Sequence, residues 1–210
     1  MEKIRGMENE LRNNGKIAVV IIMTDGESTD GNVTDMLKPM VGLPVQIIIR
    51  MCTDEQEVSD YWRSIDATVD IDIRVLDDLE ASGRIVAEKN SWLTYGLPLH
   101  RAREFGLRVP AFDALEKRLL SKTEIKIVAE ILLSGPTPNA MASFPDPNND
   151  WVGFLNAVKS ANQRTPGVYC PLDKVVRPWI NAEVLSRYQP DPLLAIMEQN
   201  EVMSSPDKLI

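Results

Sequence analysis

The residues of this chain whose type and position could do chemistry are carboxylates that sit just past apolar runs. Ile17 to Met23 is an unbroken apolar run, rich in β-branched residues, that stops at Thr24-Asp25-Gly26. Val45 to Met51 is a second run, followed by Thr53-Asp54-Glu55, and Val69 to Val75 a third, followed by Asp77-Asp78. If each run is a strand of one parallel sheet, these carboxylates line one rim, the carboxyl-end crevice where open α/β sheets bind ligands. Asp25, Asp30 and Asp54 would then offer the hard oxygen atoms that Mg²⁺ and Ca²⁺ take. Each position also has a plainer use. Asp54 with Glu57 fits a capping box, Asp77 fits a helix N-cap, and Asp25-Gly26 with Ser28 and Thr29 fits a solvated turn.

Other reactive side chains are sparse. His100 is the single histidine, in LPLHRARE, and no partner base or nucleophile is evident, so it reads as a surface helix residue. Cys52 and Cys170 have no metal-like spacing. Cys52 follows a strand run and is expected as a buried, reduced thiol. The sequence contains no Gly-x-Ser-x-Gly, no phosphate-loop glycine pattern and no Cys/His cluster. Trp62, Trp92, Trp151 and Trp179 lie in apolar patterns and are expected as core or domain-docking residues.

The elements that must position the carboxylates follow from periodicity. Residues 2 to 13 read as a helix with Ile4, Met7 and Leu11 on one face, ended by Asn13-Asn14-Gly15. Strand 17–23 follows, its length and flanks predicting burial on both faces. After it come a short helix compromised by Pro39 and strand 45–51. Val58, Tyr61, Trp62 and Ile65 then form the stripe of a further helix. In the third run Val69, Ile71, Ile73 and Val75 alternate with Asp70, Asp72 and Arg74, the pattern of a half-exposed edge strand.

Strands alternating with helices imply a parallel sheet, the first strand innermost and the third at the edge. The first strand is then left without a neighbour on its other side, a template for edge pairing or self-association. Beyond residue 91 the texture is helical: 99–105 stopped by Gly106, 110–120 opened by Pro110, Ser121 to Leu133 opened by a Ser121/Glu124 capping box, 151–161, and 182–188. Residues 165 to 178 read as irregular. The expected organisation is an α/β part at 1–90, a helical extension at 91–189 and a loosely ordered tail at 190–210.

Composition bounds the partners. The chain has 210 residues, 44% hydrophobic and 26% charged, ordinary values for a globular protein. A net charge of −8 argues against nucleic acid and anionic membranes, both of which need a positive surface. No apolar stretch approaches the ~20 residues that span a bilayer. The first residues lack a signal-like apolar core, which predicts a cytoplasmic setting.

The stretch VVIIMTDGESTDG resembles the central strand and third metal loop of von Willebrand factor A-type domains. LPVQIIIRMCTDE, the Trp62 helix and VDIDIRVLDD are similar in order to that fold's second half, so the resemblance covers about residues 16 to 90. It implies an α/β fold, a partial Rossmann-like three-layer sandwich with three parallel strands, followed by the mainly helical region. It also implies a partial metal-ion-dependent adhesion site in which Asp25 is the one residue carried over. The family's main ligand loops precede its Thr-Asp-Gly strand, and this chain has no segment for them before residue 16. The resemblance therefore implies either the C-terminal piece of a longer protein or a half-domain without its metal site. The expected function is non-enzymatic binding of a protein partner at the rim around Asp25, with weak Mg²⁺ or Ca²⁺ assistance. The alternative is a Mg²⁺-dependent hydrolase or phosphotransfer-type enzyme using Asp25, Asp30 and Asp54.

Overall fold

The computed structural model describes residues 2–29, 31–53, 55–134 and 144–188. The chain divides into two compact units: Met1–Ser82 with Leu97–Leu107, and Gly83–Gly96 with Arg108–Ile210.

The first unit is mixed α/β. Its sheet has three parallel strands in the order β1 (Ala18–Thr24), β2 (Val45–Met51), β3 (Asp72–Leu76). The register runs from Ala18 opposite Val45 to Thr24 opposite Met51, and from Gln46 opposite Asp72 to Arg50 opposite Leu76. Helix α1 (Glu2–Asn13) precedes β1, α2 (Val33–Leu37) with a 3₁₀ turn at Lys38–Met40 joins β1 to β2, and α3 (Gln56–Asp66) joins β2 to β3. Side chains alternate across a strand, so Val45, Ile47, Ile49 and Met51 share one face of β2. They pack with Val33, Leu37, Val58, Trp62 and Ile65 in one apolar core. Full burial of such side chains contributes roughly 1.5–3 kcal/mol each. Arg5 and Arg12 of α1 donate to the carbonyls of Pro39 and Gly42, holding that helix to the turn before β2.

The opposite face of β2 carries Gln46, Ile48 and Arg50, and the returning helix α5 (Leu97–Glu104) lies against it. That helix ends in a Schellman motif: Gly106 N donates to Arg103 O, and Leu107 N to Ala102 O. Gly106 has φ +84°, and a Cβ there would stand 2.8 Å from Gln46 Oε1 and 2.9 Å from a Val19 methyl. Only glycine satisfies both the conformation and the close approach to the sheet.

Three expectations fail in this unit, for identifiable reasons. β1 is not buried on both faces. The covered strand is β2, despite its Gln46 and Arg50, because the apolar core lies on one of its faces and α5 on the other, with β1 and β3 at its two sides. Cys52 is exposed, not buried, since the strand has ended at Met51. His100 is only 1% exposed, not a surface residue, because α5 packs on the sheet.

The second unit contains α4 (Leu79–Lys89) from Gly83 onward, α6 (Pro110–Ala114), α7 (Lys122–Leu133), α8 (Trp151–Arg164), β4 (Val168–Cys170), β5 (Val175–Arg177) and α9 (Ala182–Ser186). Trp92, Phe112, Leu115, Ile125, Phe154 and Ile180 are fully buried in it. Asn90 is buried too. Its Nδ2 donates to the carbonyls of Leu115 and Arg118, both at 2.9 Å, and its Oδ1 accepts from Leu120 N at 3.0 Å. One amide thus satisfies three backbone groups of the α6–α7 connection, which have no strand or helix to pair with.

The capping box predicted at Ser121 and Glu124 is present. Two expectations are corrected here. The helix opened by Pro110 stops at Ala114, and the segment read as irregular forms the antiparallel β4–β5 hairpin. Three-residue strands are too short to leave a periodic signal. Of the expected tail, residues 190–210 lie outside the described residues. No helix among the described residues is long and apolar enough to cross a membrane.

Candidate functional site

The site begins with the backbone of β1. Ala18 N donates to Pro44 O, and Thr24 O accepts from Cys52 N, so even-numbered residues of β1 point their amide groups toward β2. By alternation, Val19, Ile21 and Met23 point theirs to the other edge, which has no neighbouring strand among the described residues. The same three residues carry the exposed side chains, at 38%, 41% and 63%. An apolar strip and an unpaired backbone edge therefore coincide on one strand.

The two edges of this sheet differ in protection. β3 carries Asp72 and Arg74, whereas β1, AVVIIMT, has no charge, proline or glycine. Charged residues and proline are the usual means by which edge strands avoid pairing.

At the carboxyl end of β1 the chain turns on Thr24, whose Oγ1 donates to Gly26 O at 2.9 Å and accepts from Gly26 N at 3.3 Å. Trp62 Nε1 donates to the same Gly26 carbonyl at 3.1 Å, fixing the loop to α3. Asp25 is exposed beside this turn. Asp30 and Asp54 lie outside the described residues, so the structure brings neither to Asp25 nor away from it. Helix α3 takes Glu55 as its N-cap position, without a side-chain capping bond.

Asp77 does not cap α4. It is buried, accepts from Ser59 Oγ at 2.9 Å and pairs with Arg63 at 2.6 Å, while Asp78 caps the helix by accepting from Ala81 N. Among the described residues, no group of three or more His, Cys, Asp or Glu side chains is placed to hold a metal ion.

On the sheet face under α5 lies a charge cluster that sequence reasoning missed. Glu104, 3% exposed, pairs with Arg50 of β2 at 2.8 Å and with Arg101 at 2.7 Å, and His100 Nε2 lies 3.3 Å from it. The signal was available: an arginine inside an otherwise apolar strand needs a partner, and LPLHRARE supplies a carboxylate at its end. The cluster docks a helix and offers no nucleophile.

In the second unit a cavity of about 650 Å³ is lined by residues including Thr94, Lys159, Asn162, Cys170, Asp173 and Arg177. Asn162 Nδ2 donates to Ile180 O at 2.7 Å, and Arg177 pairs with Asp173 at 2.8 Å. The volume suits a small molecule.

Comparison with known protein families, with curated proteins and with solved structures found no match to the chain.

Proposed function

We propose that the chain is a non-enzymatic protein-interaction module built on a von Willebrand A-like half of a three-layer sandwich. Its binding surface is the open edge of β1, flanked at the strand's carboxyl end by the Asp25 rim, and its partner supplies a strand. The observation that carries this reading is the unprotected β1 edge. Among the described residues, amide groups without a neighbouring strand and exposed apolar side chains fall on the same positions, Val19, Ile21 and Met23, while the other edge of the sheet is charged. Strand addition to an edge draws affinity from main-chain hydrogen bonds and specificity from alternate side chains, and β1 presents both. At the Asp25 rim the described residues offer too few convergent carboxylates to fit a tightly held cation. The binding mode is therefore derived without one.

The test is a fluorescent peptide of the β1 sequence, Ala18–Thr24, flanked by lysines for solubility. Its anisotropy should rise saturably on titration with the chain. Hydrogen exchange at the amides of Val19, Ile21 and Met23 should slow as it binds. Ile21→Pro should abolish both effects while sparing the sheet, because the amide of Ile21 points away from β2. Absence of peptide binding by the folded chain at a concentration where it is monomeric would overturn the reading. Saturable Mg²⁺ binding lost in Asp25→Ala, with no peptide binding, would favour the metal-dependent enzyme instead.

A further inference from the structure

We infer that the strand added to β1 is β1 of a second copy, antiparallel, about a two-fold axis through Ile21. The inference rests on the edge-docking reading and gives the partner's identity. It follows from parity, polarity and charge.

Backbone parity comes first. Val19, Ile21 and Met23 direct both N–H and C=O outward, as the β2-facing bonds of Ala18 and Thr24 require. In an antiparallel pair, residues whose amides face each other exchange two hydrogen bonds, and such pairs alternate with pairs that exchange none. With Ile21 opposite itself, Val19 falls opposite Met23 of the other copy, and Met23 opposite Val19. Every outward amide group of the strand then finds its counterpart.

The side chains obey the same register. The three exposed apolar residues stack across the junction as Val19 on Met23, Ile21 on Ile21 and Met23 on Val19. The half-buried set behind them, Ala18, Val20 and Ile22, meets Thr24, Ile22 and Val20 of the other copy on the opposite face. Apolar cross-strand pairs are the unit by which sheets gain stability.

The ends supply the charge argument. Antiparallel pairing brings the end of β1 that carries exposed Lys16, two residues before the strand, beside the turn of the other copy that carries exposed Asp25 and Glu27 just past its strand. The arrangement is repeated at the other end of the junction by symmetry. A partner strand with the polarity reversed would set Lys16 against Lys16 and Asp25 against Asp25. The charge pattern at the two ends of β1 is thus self-complementary in the antiparallel sense only, which selects a second copy running the opposite way. An isologous contact of this kind closes on itself as a dimer and joins two three-stranded sheets into one.

The experiment is light scattering over a dilution series of the full chain and two variants, Ile21→Lys and Ile21→Glu. The side chain changed is exposed in the single copy, so melting temperature measured alongside should hold steady when dimers are absent. The unchanged chain should reach twice 23.5 kDa at high concentration. Each variant alone should be monomeric, because position 21 faces itself and like charges oppose. An equimolar mixture of the two variants should recover the doubled mass. A dimer in either variant alone, or no recovery on mixing, overturns the register. A chain that stays monomeric while the β1 peptide still binds it overturns the second copy and leaves edge docking standing. Failure of both removes the reading on which the inference rests.

Discussion

At the residue scale, two ionisable groups of the second unit tie its stability to pH. Glu124 is partly buried, which pushes its carboxyl upward. The two-pronged contact from Arg118, at 2.6 and 2.7 Å, and the Ser121 amide outweigh burial and hold it below the usual carboxylate value of 4.5. A carboxyl held low in the folded state contributes stability above its unfolded value and loses it as pH falls through the folded one. Tyr188 behaves in the opposite sense. Burial and the nearby Glu124 charge push its phenol from 10.0 up to about 12, and its hydroxyl donates to Leu120 O. Between pH 10 and 12 the unfolded chain releases this proton while the folded chain retains it, so stability falls across that window. Denaturant melts in steps of pH should therefore show the advantage of the native chain over Tyr188→Phe shrinking from pH 10 to 12. Glu124→Gln should flatten the acid limb below pH 4.5.

At the element scale, the helix α5 is held on the sheet by Glu104. Its carboxylate is buried against Arg50, Arg101 and His100, so removing it leaves positive charge under the helix with nothing to offset it. Breaking a buried pair from one side costs about 3–5 kcal/mol, and the partial exposure of Arg50 sets the expectation for Glu104→Ala near the lower end, about 3 kcal/mol. Arg101→Ala removes a half-exposed partner and should cost under about 1 kcal/mol. Urea midpoints of the two variants, at unchanged slope, check the contrast. Equal losses would mean that the helix is held by apolar contacts such as Leu99, with the charges incidental.

At the scale of the whole molecule, the two cysteines report on the two units separately. Cys52 is exposed at the end of β2 in the first unit, and Cys170 is buried in the hairpin of the second, where its thiol lies 3.4 Å from Asp173. With a thiol reagent, one cysteine should react at once in the native protein. The second should react only as fast as the second unit opens, and its rate should climb with urea. Mass mapping should assign the fast site to Cys52. A fast Cys170 whose rate climbs with urea would show that the hairpin opens independently of the core around Trp92 and Phe154, and a fast rate indifferent to urea would show that the reagent enters through the cavity that the thiol lines.

Local sequence determined a great deal of this protein. The strand at Val45–Met51, the capping box of Ser121 and Glu124, the stop at Gly106 and the parallel order of three strands all follow from periodicity and terminal residues, which act over a few positions. What depends on distant segments did not follow. An apolar run such as AVVIIMT reads the same whether one face is covered or two, and only its tertiary surroundings leave Val19, Ile21 and Met23 exposed. The return of α5 onto the sheet decided that His100 is buried and that Arg50 has a carboxylate. Asp77 and Asp78 are adjacent and alike, yet Ser59 and Arg63 on α3 draw one inward while the other caps the next helix. Sequence spacing sets which residues share a face, and tertiary packing alone sets what that face meets.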